Sequence, residues 1–117
     1  MDFVKINVNG KEHILKYTFK SMKLMGDFQI TQDYDKYPMR VFEMLSQLFY
    51  GGMNWANDKH YTLEETDKIL ESYIEGSDVN ISEFVSSLSE LLTKSDFFKK
   101  LLNNEEKPVQ KKARSKN

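Results

Sequence analysis

The chain has 117 residues with 17 basic and 18 acidic side chains, so its formal net charge is −1. This length suits one domain, or one domain with a tail, and it allows a core that needs no disulfide staples. The sequence has no cysteine, which excludes a disulfide scaffold, a cysteine-based zinc site and a thiol nucleophile. The near-neutral total gives no overall attraction to nucleic acid or to an anionic membrane.

The charge is unevenly distributed. Residues 105–117 carry five basic and two acidic side chains, a net +3, which leaves −4 on residues 1–104. We expect one compact domain over residues 1–104 and a disordered basic tail over residues 105–117. No apolar run is long enough to cross a bilayer, and the first residues lack the basic and apolar segments of a secretory signal. These features predict a soluble, cytoplasmic protein.

The first segment predicts a β-hairpin over residues 3–17. Apolar and polar residues alternate up to Asn9-Gly10, a pair favoured in the type I′ turn that joins twisted antiparallel strands. A two-residue loop places Ile6 opposite His13. The apolar side of the hairpin would comprise Val4, Ile6, Val8, Leu15 and Tyr17. Because an isolated hairpin is marginal in water, this side must pack on the rest of the chain.

Helical periodicity dominates the remainder of the domain. The predicted helices span about 18–30, 38–55, 62–75 and 81–103. Pro38 suits a first helical turn, and Thr62 with Glu65 has the spacing of a capping box. Gly76 suits the C-cap of the third helix. The predicted fold class is mainly α with a small N-terminal β-hairpin (α+β), in which the hairpin packs on about four helices.

The second and the last predicted helix each contain an unusual stretch of sequence. The Gly51-Gly52 pair either ends the second helix or lets another backbone approach it closely inside a longer one, and the sequence leaves both alternatives open. The last helix has an apolar stripe that continues from Ile81 to Leu102 across about six turns. We therefore expect it to be one uninterrupted helix.

Catalytic and metal-binding motifs are absent from the sequence. The two histidines are separated: His13 falls in the middle of a predicted strand, and His60 lies in a polar loop, so neither has the ligands of a zinc site. Asp33 and Asp35 loosely suggest a calcium loop but lack its glycine and its terminal glutamate. We expect no enzyme, no cofactor and no metal.

Methionine and aromatic residues give the more useful clue. Six Met and fifteen aromatic residues exceed the evident need of one small core, and flexible Met side chains adapt to varied apolar partners. Neighbouring Phe97 and Phe98 cannot both face one core from an ordinary helix. The predicted partner-binding or self-association residues are Phe49, Tyr50, Met53, Trp55, Phe97, Phe98 and Leu101.

The basic tail supplies the alternative hypothesis. A small helical nucleic-acid-binding or regulatory protein could use residues 105–117 to contact phosphates. The tail holds only five positive charges and no interleaved aromatic residues that could stack on bases. A solubilising tail is therefore favoured, and nucleic acid is an improbable partner.

Four segments, in this order, carry a family resemblance: KINVNGKEHILKY, FEMLSQLFYGGM, TLEETDKILESYIEG and FVSSLSELLTKS. Over residues 4–103 the chain resembles the small tail assembly chaperones of long-tailed (siphovirus-type) phages and prophages of Gram-positive bacteria. The resemblance rests on the order and spacing of these segments, since no single motif is diagnostic.

The resemblance implies a non-enzymatic role in virion morphogenesis. Such chaperones bind the tape measure protein, keep it soluble and help the tail tube protein polymerise around it. They act in the cytoplasm of the bacterial host and are absent from the mature virion. The resemblance also implies self-association and a longer form made by ribosomal frameshifting. It provides no catalytic residues to carry over.

Overall fold

The structure, a computed structural model, describes residues 2–26 and 36–101. Its elements are β1 (Val4–Val8), β2 (Lys11–Leu15), α1 (Phe19–Met25), α2 (Arg40–Met53), α3 (Leu63–Gly76) and α4 (Ile81–Thr93). Residues 96–101 are also helical. The predicted fold class, a hairpin packed on helices, is confirmed. The predicted tail and the Asp33–Asp35 segment, a poor match to a calcium loop, lie outside the described residues.

The hairpin has the predicted register. β1 and β2 are antiparallel, with Ile6 opposite His13. Asn9 and Gly10 have φ angles of 52° and 81°, as the type I′ turn requires. Ile6 and Leu15 are buried against the helices, so the apolar side of the hairpin packs as expected.

α2 is the central element of the fold, since it contacts β2 and the other three helices. The most deeply buried apolar residues are Leu15, Tyr17, Leu45, Leu48, Phe49 and Leu88. The Tyr17 hydroxyl donates a hydrogen bond of 2.7 Å to the Leu48 carbonyl, which joins the end of the hairpin to α2. Burial raises the pKa of Tyr17 well above its ordinary value, so this hydroxyl remains a donor.

Gly51 and Gly52 lie inside α2, so the helix continues through the pair, and another backbone approaches it closely at Gly52. The Lys16 N–H donates to the Gly52 carbonyl at 3.1 Å. This carbonyl belongs to the last turn of α2, where no intrahelical donor is available, so the hairpin satisfies it. A Cβ at position 52 would lie 3.0 Å from Leu15 Cδ2, which leaves little room for any other residue.

The first three helix boundaries differ slightly from those predicted. α2 begins at Arg40 because the Pro38 carbonyl accepts from Val41 N–H at 3.1 Å in a tighter turn that precedes the helix. α1 ends at Met25, and residues 27–30 of its predicted range lie outside the described residues. The Thr62 capping box of α3 is confirmed, but the C-cap is Ser77, and Gly76 is the last helical residue.

The prediction of one uninterrupted last helix is wrong. α4 ends at Thr93, and Ser95 separates it from the helical residues 96–101. The Ser95 hydroxyl donates to the Leu92 carbonyl at 2.8 Å and accepts from Phe98 N–H at 3.3 Å. It thus caps the segment that follows, a role typical of serine, which apolar periodicity alone does not reveal.

The helices within residues 2–26 and 36–101 lack the combination of length and apolar character that crossing a membrane requires.

Candidate functional site

Two of the predicted contact residues belong to the core. Phe49 is fully buried, with its ring centroid 6.3 Å from that of Phe84, and Met53 is 5% exposed. Both lie on the side of α2 that packs on the hairpin and the other helices. These predictions are corrected: the two side chains serve packing and offer no accessible contact surface.

Two further candidates fasten the segment that follows α2. Trp55 is half-buried; its Nε1–H donates to the Ile14 carbonyl at 2.8 Å, and Lys16 Nζ lies 4.2 Å from its ring centroid. Tyr50 is also half-buried, with its ring edge-on to that of His60 at 6.4 Å. Trp55 therefore ties the loop to β2, and its indole N–H is already engaged within the chain.

Asn54 holds the ends of α2 and α3 together. Its side chain is fully buried; Nδ2 donates to the carbonyls of Tyr50 and Tyr61, at 3.0 and 3.1 Å. Oδ1 accepts from the Tyr61 N–H at 2.7 Å. Because Asn54 and Tyr61 bracket the loop between the helices, this network fixes where α3 begins relative to α2.

The last three candidates lie on the helical segment after α4. Phe98 is half-buried and packs against the core, whereas Phe97 and Leu101 are exposed, as the argument from adjacent phenylalanines requires. The Phe97 ring lies 5.6 Å from that of Phe19, which is 58% exposed. Phe19, Phe97 and Leu101 are called here the Phe19–Phe97 patch.

A second apolar surface lies between α2 and α3. It is an open groove of about 880 Å³ that we call the α2–α3 groove. Its lining residues are Phe42, Ser46, Leu63, Glu64, Asp67, Lys68, Leu70, Glu71, Ile74 and Glu75. Leu70 is buried in the floor, while Phe42 and Leu63 are 46% and 38% exposed. A groove of this volume, with apolar walls, is large enough to receive several side chains of a partner.

Carboxylates dominate the charge around the groove. Glu64, Asp67, Glu71 and Glu75 follow one another at spacings of three or four, so they form one row along α3. Lys68 is the single basic residue of the lining. Across the groove, the Ser46 hydroxyl donates to Asp67 Oδ1 at 2.5 Å and joins the two walls.

This groove could not be predicted from the sequence, because apolar spacing does not tell which apolar residues a neighbour will cover. Leu63, Leu70 and Ile74 all belong to the apolar side of α3, yet only Leu70 is buried. The available signal was the regular row of carboxylates beside them. Phe42 gave no such signal, since its spacing matches that of buried residues of α2.

The two histidines lie apart from the groove. His13 is buried in the hairpin, and burial, followed by the nearby charges of Lys11 and Lys59, lowers its pKa. Within residues 2–26 and 36–101, His, Asp and Glu side chains form no group of three that could hold a metal ion.

No protein-family model, no curated protein and no solved structure matches the chain.

Proposed function

We propose that the protein is a phage tail assembly chaperone that binds the tape measure protein and keeps it soluble until the tail tube protein polymerises around it. The observation that carries the proposal is the open, apolar α2–α3 groove. The order of hairpin and helices, on which the family resemblance rests, is compatible with this function.

The groove has properties suited to reversible cover. A helical protein that awaits assembly exposes apolar stripes, and burial of such a stripe provides about 25 cal/mol per Å² of apolar surface. Phe42 and Leu63 supply accessible apolar surface on opposite walls, while the carboxylates beside them are solvated. Because the groove opens to solvent, a competing tube subunit can displace the bound segment.

In this proposal the chain acts by contact alone, in the cytoplasm of the host, and leaves the finished tail. Self-association and a longer frameshifted form belong to the same proposal. Among the described residues, the Phe19–Phe97 patch is a second exposed apolar surface. We assign a second protein contact to this patch.

The proposal can be tested by co-expression with the product of the next reading frame downstream, which the proposal expects to be a long helical protein. We expect the chain to raise the soluble fraction of that protein severalfold and to co-purify with it. Phe42→Asp, in the groove, should abolish the effect. Phe3→Asp, at a phenylalanine of similar exposure outside both the groove and the Phe19–Phe97 patch, should retain it.

Two results would count against the function. One is a downstream reading frame that encodes no long helical protein. The other is an unchanged soluble fraction when both proteins are produced and the chain is folded. Binding to DNA that weakens steeply with salt would favour the alternative function of the basic tail.

A further inference from the structure

The α2–α3 groove constrains the shape of its occupant. Its apolar residues on α3 run from Leu63 to Ile74, a rise of about 16 Å along the helix axis. This length corresponds to three turns of a partner helix, whose side chains at i, i+3 or i+4 and i+7 would enter the groove together. An extended strand would need an unpaired sheet edge, whereas both walls of the groove are helices.

The charges constrain the occupant further. The lining holds four carboxylates on α3 and a single basic residue, Lys68 of the same helix. Asp67 already accepts the Ser46 hydroxyl, which leaves Glu64, Glu71 and Glu75 as the carboxylates with the most freedom to meet a partner. Their spacing of seven and four residues matches lysine or arginine residues repeated along one edge of a docked helix.

Two other occupants fit these constraints less well. The basic residues 105–117 have the right charge, but Val109 and Ala113 are their main apolar side chains, too few to fill an apolar floor three turns long. A second copy of the chain docked groove against groove would bring a further row of carboxylates into the same site, and like charges in contact cost free energy.

We propose that the α2–α3 groove binds one amphipathic helix of about three turns, with its apolar stripe against Phe42, Leu70 and Ile74 and a row of lysine or arginine residues along Glu64, Glu71 and Glu75. The proposal deepens the proposed function and rests on it for biological meaning, since it specifies which segments of a helical partner the chain selects. The binding chemistry itself can be measured without the phage protein.

The test uses two synthetic helical peptides of about 18 residues. Both have the same leucine stripe; one has lysines along one edge, and the other has glutamates at the same positions. Each is titrated into the full chain by calorimetry. We expect the lysine peptide to bind at least about tenfold more tightly than the glutamate peptide at low salt. This difference should shrink as salt screens the attraction between the lysines and the carboxylates of the groove.

A charge-reversed variant makes the test specific to the groove. Glu64→Lys/Glu71→Lys/Glu75→Lys should reverse the preference, so that the glutamate peptide binds more tightly. The matched control, Glu12→Lys/Glu83→Lys/Glu90→Lys, changes the net charge equally at exposed sites outside the groove lining and should keep the lysine preference. Circular dichroism checks that both variants are folded.

Several outcomes would overturn the proposal. These are no binding of either peptide, equal binding of both, or a preference that reverses in the control variant as well. If Lys111→Glu/Lys112→Glu/Arg114→Glu in the full chain raises peptide affinity, the tail is the occupant. If peptide binding dissociates a dimer, a second copy is the occupant. Specific peptide binding without any effect on the tape measure protein would remove the proposed function and leave the groove assignment intact.

Discussion

The Met25 side chain packs directly on the backbone of Gly51: a Cβ at position 51 would lie 2.2 Å from Met25 Sδ and 2.4 Å from its Cγ. The contact joins the last turn of α1 to the last turns of α2, and both residues are buried. Gly51 therefore has a packing role that outweighs the usual cost of a glycine within a helix.

Gly51→Ala should destabilise the protein by about 1–3 kcal/mol. Alanine gains up to about 1 kcal/mol of helix propensity, but the overlap with Met25 requires the methionine or α1 to move. The free energy of unfolding, measured in urea, checks the prediction.

Gly76→Ala provides the matched control. This glycine is the last residue of α3, and a Cβ there would have no neighbouring heavy atom within 4 Å. Gly76→Ala should leave the free energy of unfolding unchanged or raise it slightly. Equal effects at the two glycines would contradict the packing role of Gly51.

Asn54→Asp should cost about 3 kcal/mol or more at neutral pH. In the unmodified protein, the Asn54 amide donates N–H groups to the carbonyls of Tyr50 and Tyr61. The substitution keeps the shape of the side chain but places a carboxylate, which has no donor, against these two carbonyls. Protonation of the introduced carboxyl restores one donor, so the variant should recover part of its loss near pH 4. The free energy of unfolding, measured in urea at neutral pH and at pH 4, checks this prediction. Asn57→Asp, exposed in the same loop, should change stability by less than about 0.5 kcal/mol.

Trp55→Phe should destabilise the protein by about 1–2 kcal/mol. The ring remains available to Lys16, but the Ile14 carbonyl loses its donor at 2.8 Å. Thermal unfolding of the variant measures the effect. If the variant unfolds at the same temperature as the unmodified protein, the hydrogen bond from Trp55 to the Ile14 carbonyl does not stabilise the fold.

His13 should make stability depend on pH. Burial and the charges of Lys11 and Lys59 lower its pKa in the folded state below the ordinary value of 6.5. The unfolded chain therefore binds a proton more readily. The contribution of neutral His13 to the free energy of unfolding is fully present above about pH 6.5. It is lost as the pH falls from there through the lowered folded-state pKa.

His13→Gln should remove this part of the pH dependence, which appears as a smaller difference between the free energies of unfolding at pH 7.5 and at pH 5. A variant with the same pH dependence as the unmodified protein would show that other groups are responsible.

The hairpin and the capping box could be predicted because each depends on a few neighbouring residues. Asn9-Gly10 selects its turn by backbone conformation alone, and Thr62 with Glu65 caps α3 through contacts three residues apart. The end of α4 could not be predicted from apolar spacing, because the apolar stripe continues past Ser95 without a break. Local hydrogen bonds decided the outcome there.

The candidate site was harder to predict, because exposure is a property of the whole fold. Phe49 and Phe42 belong to the same apolar stripe of α2, yet one is fully buried and the other is 46% exposed. The difference depends on which neighbours cover each turn of the helix, information that spacing does not carry. Adjacent Phe97 and Phe98 were informative because neighbouring positions on a helix must diverge.

The central claim is that the protein binds a partner helix through the α2–α3 groove. Amide chemical-shift mapping of the labelled chain, titrated with a helical segment of the tape measure protein, tests it most directly. The account predicts that the shifts concentrate at Phe42, Ser46, Glu71 and Ile74. Shifts confined to the Phe19–Phe97 patch, or none at saturating concentrations of the segment, would contradict it.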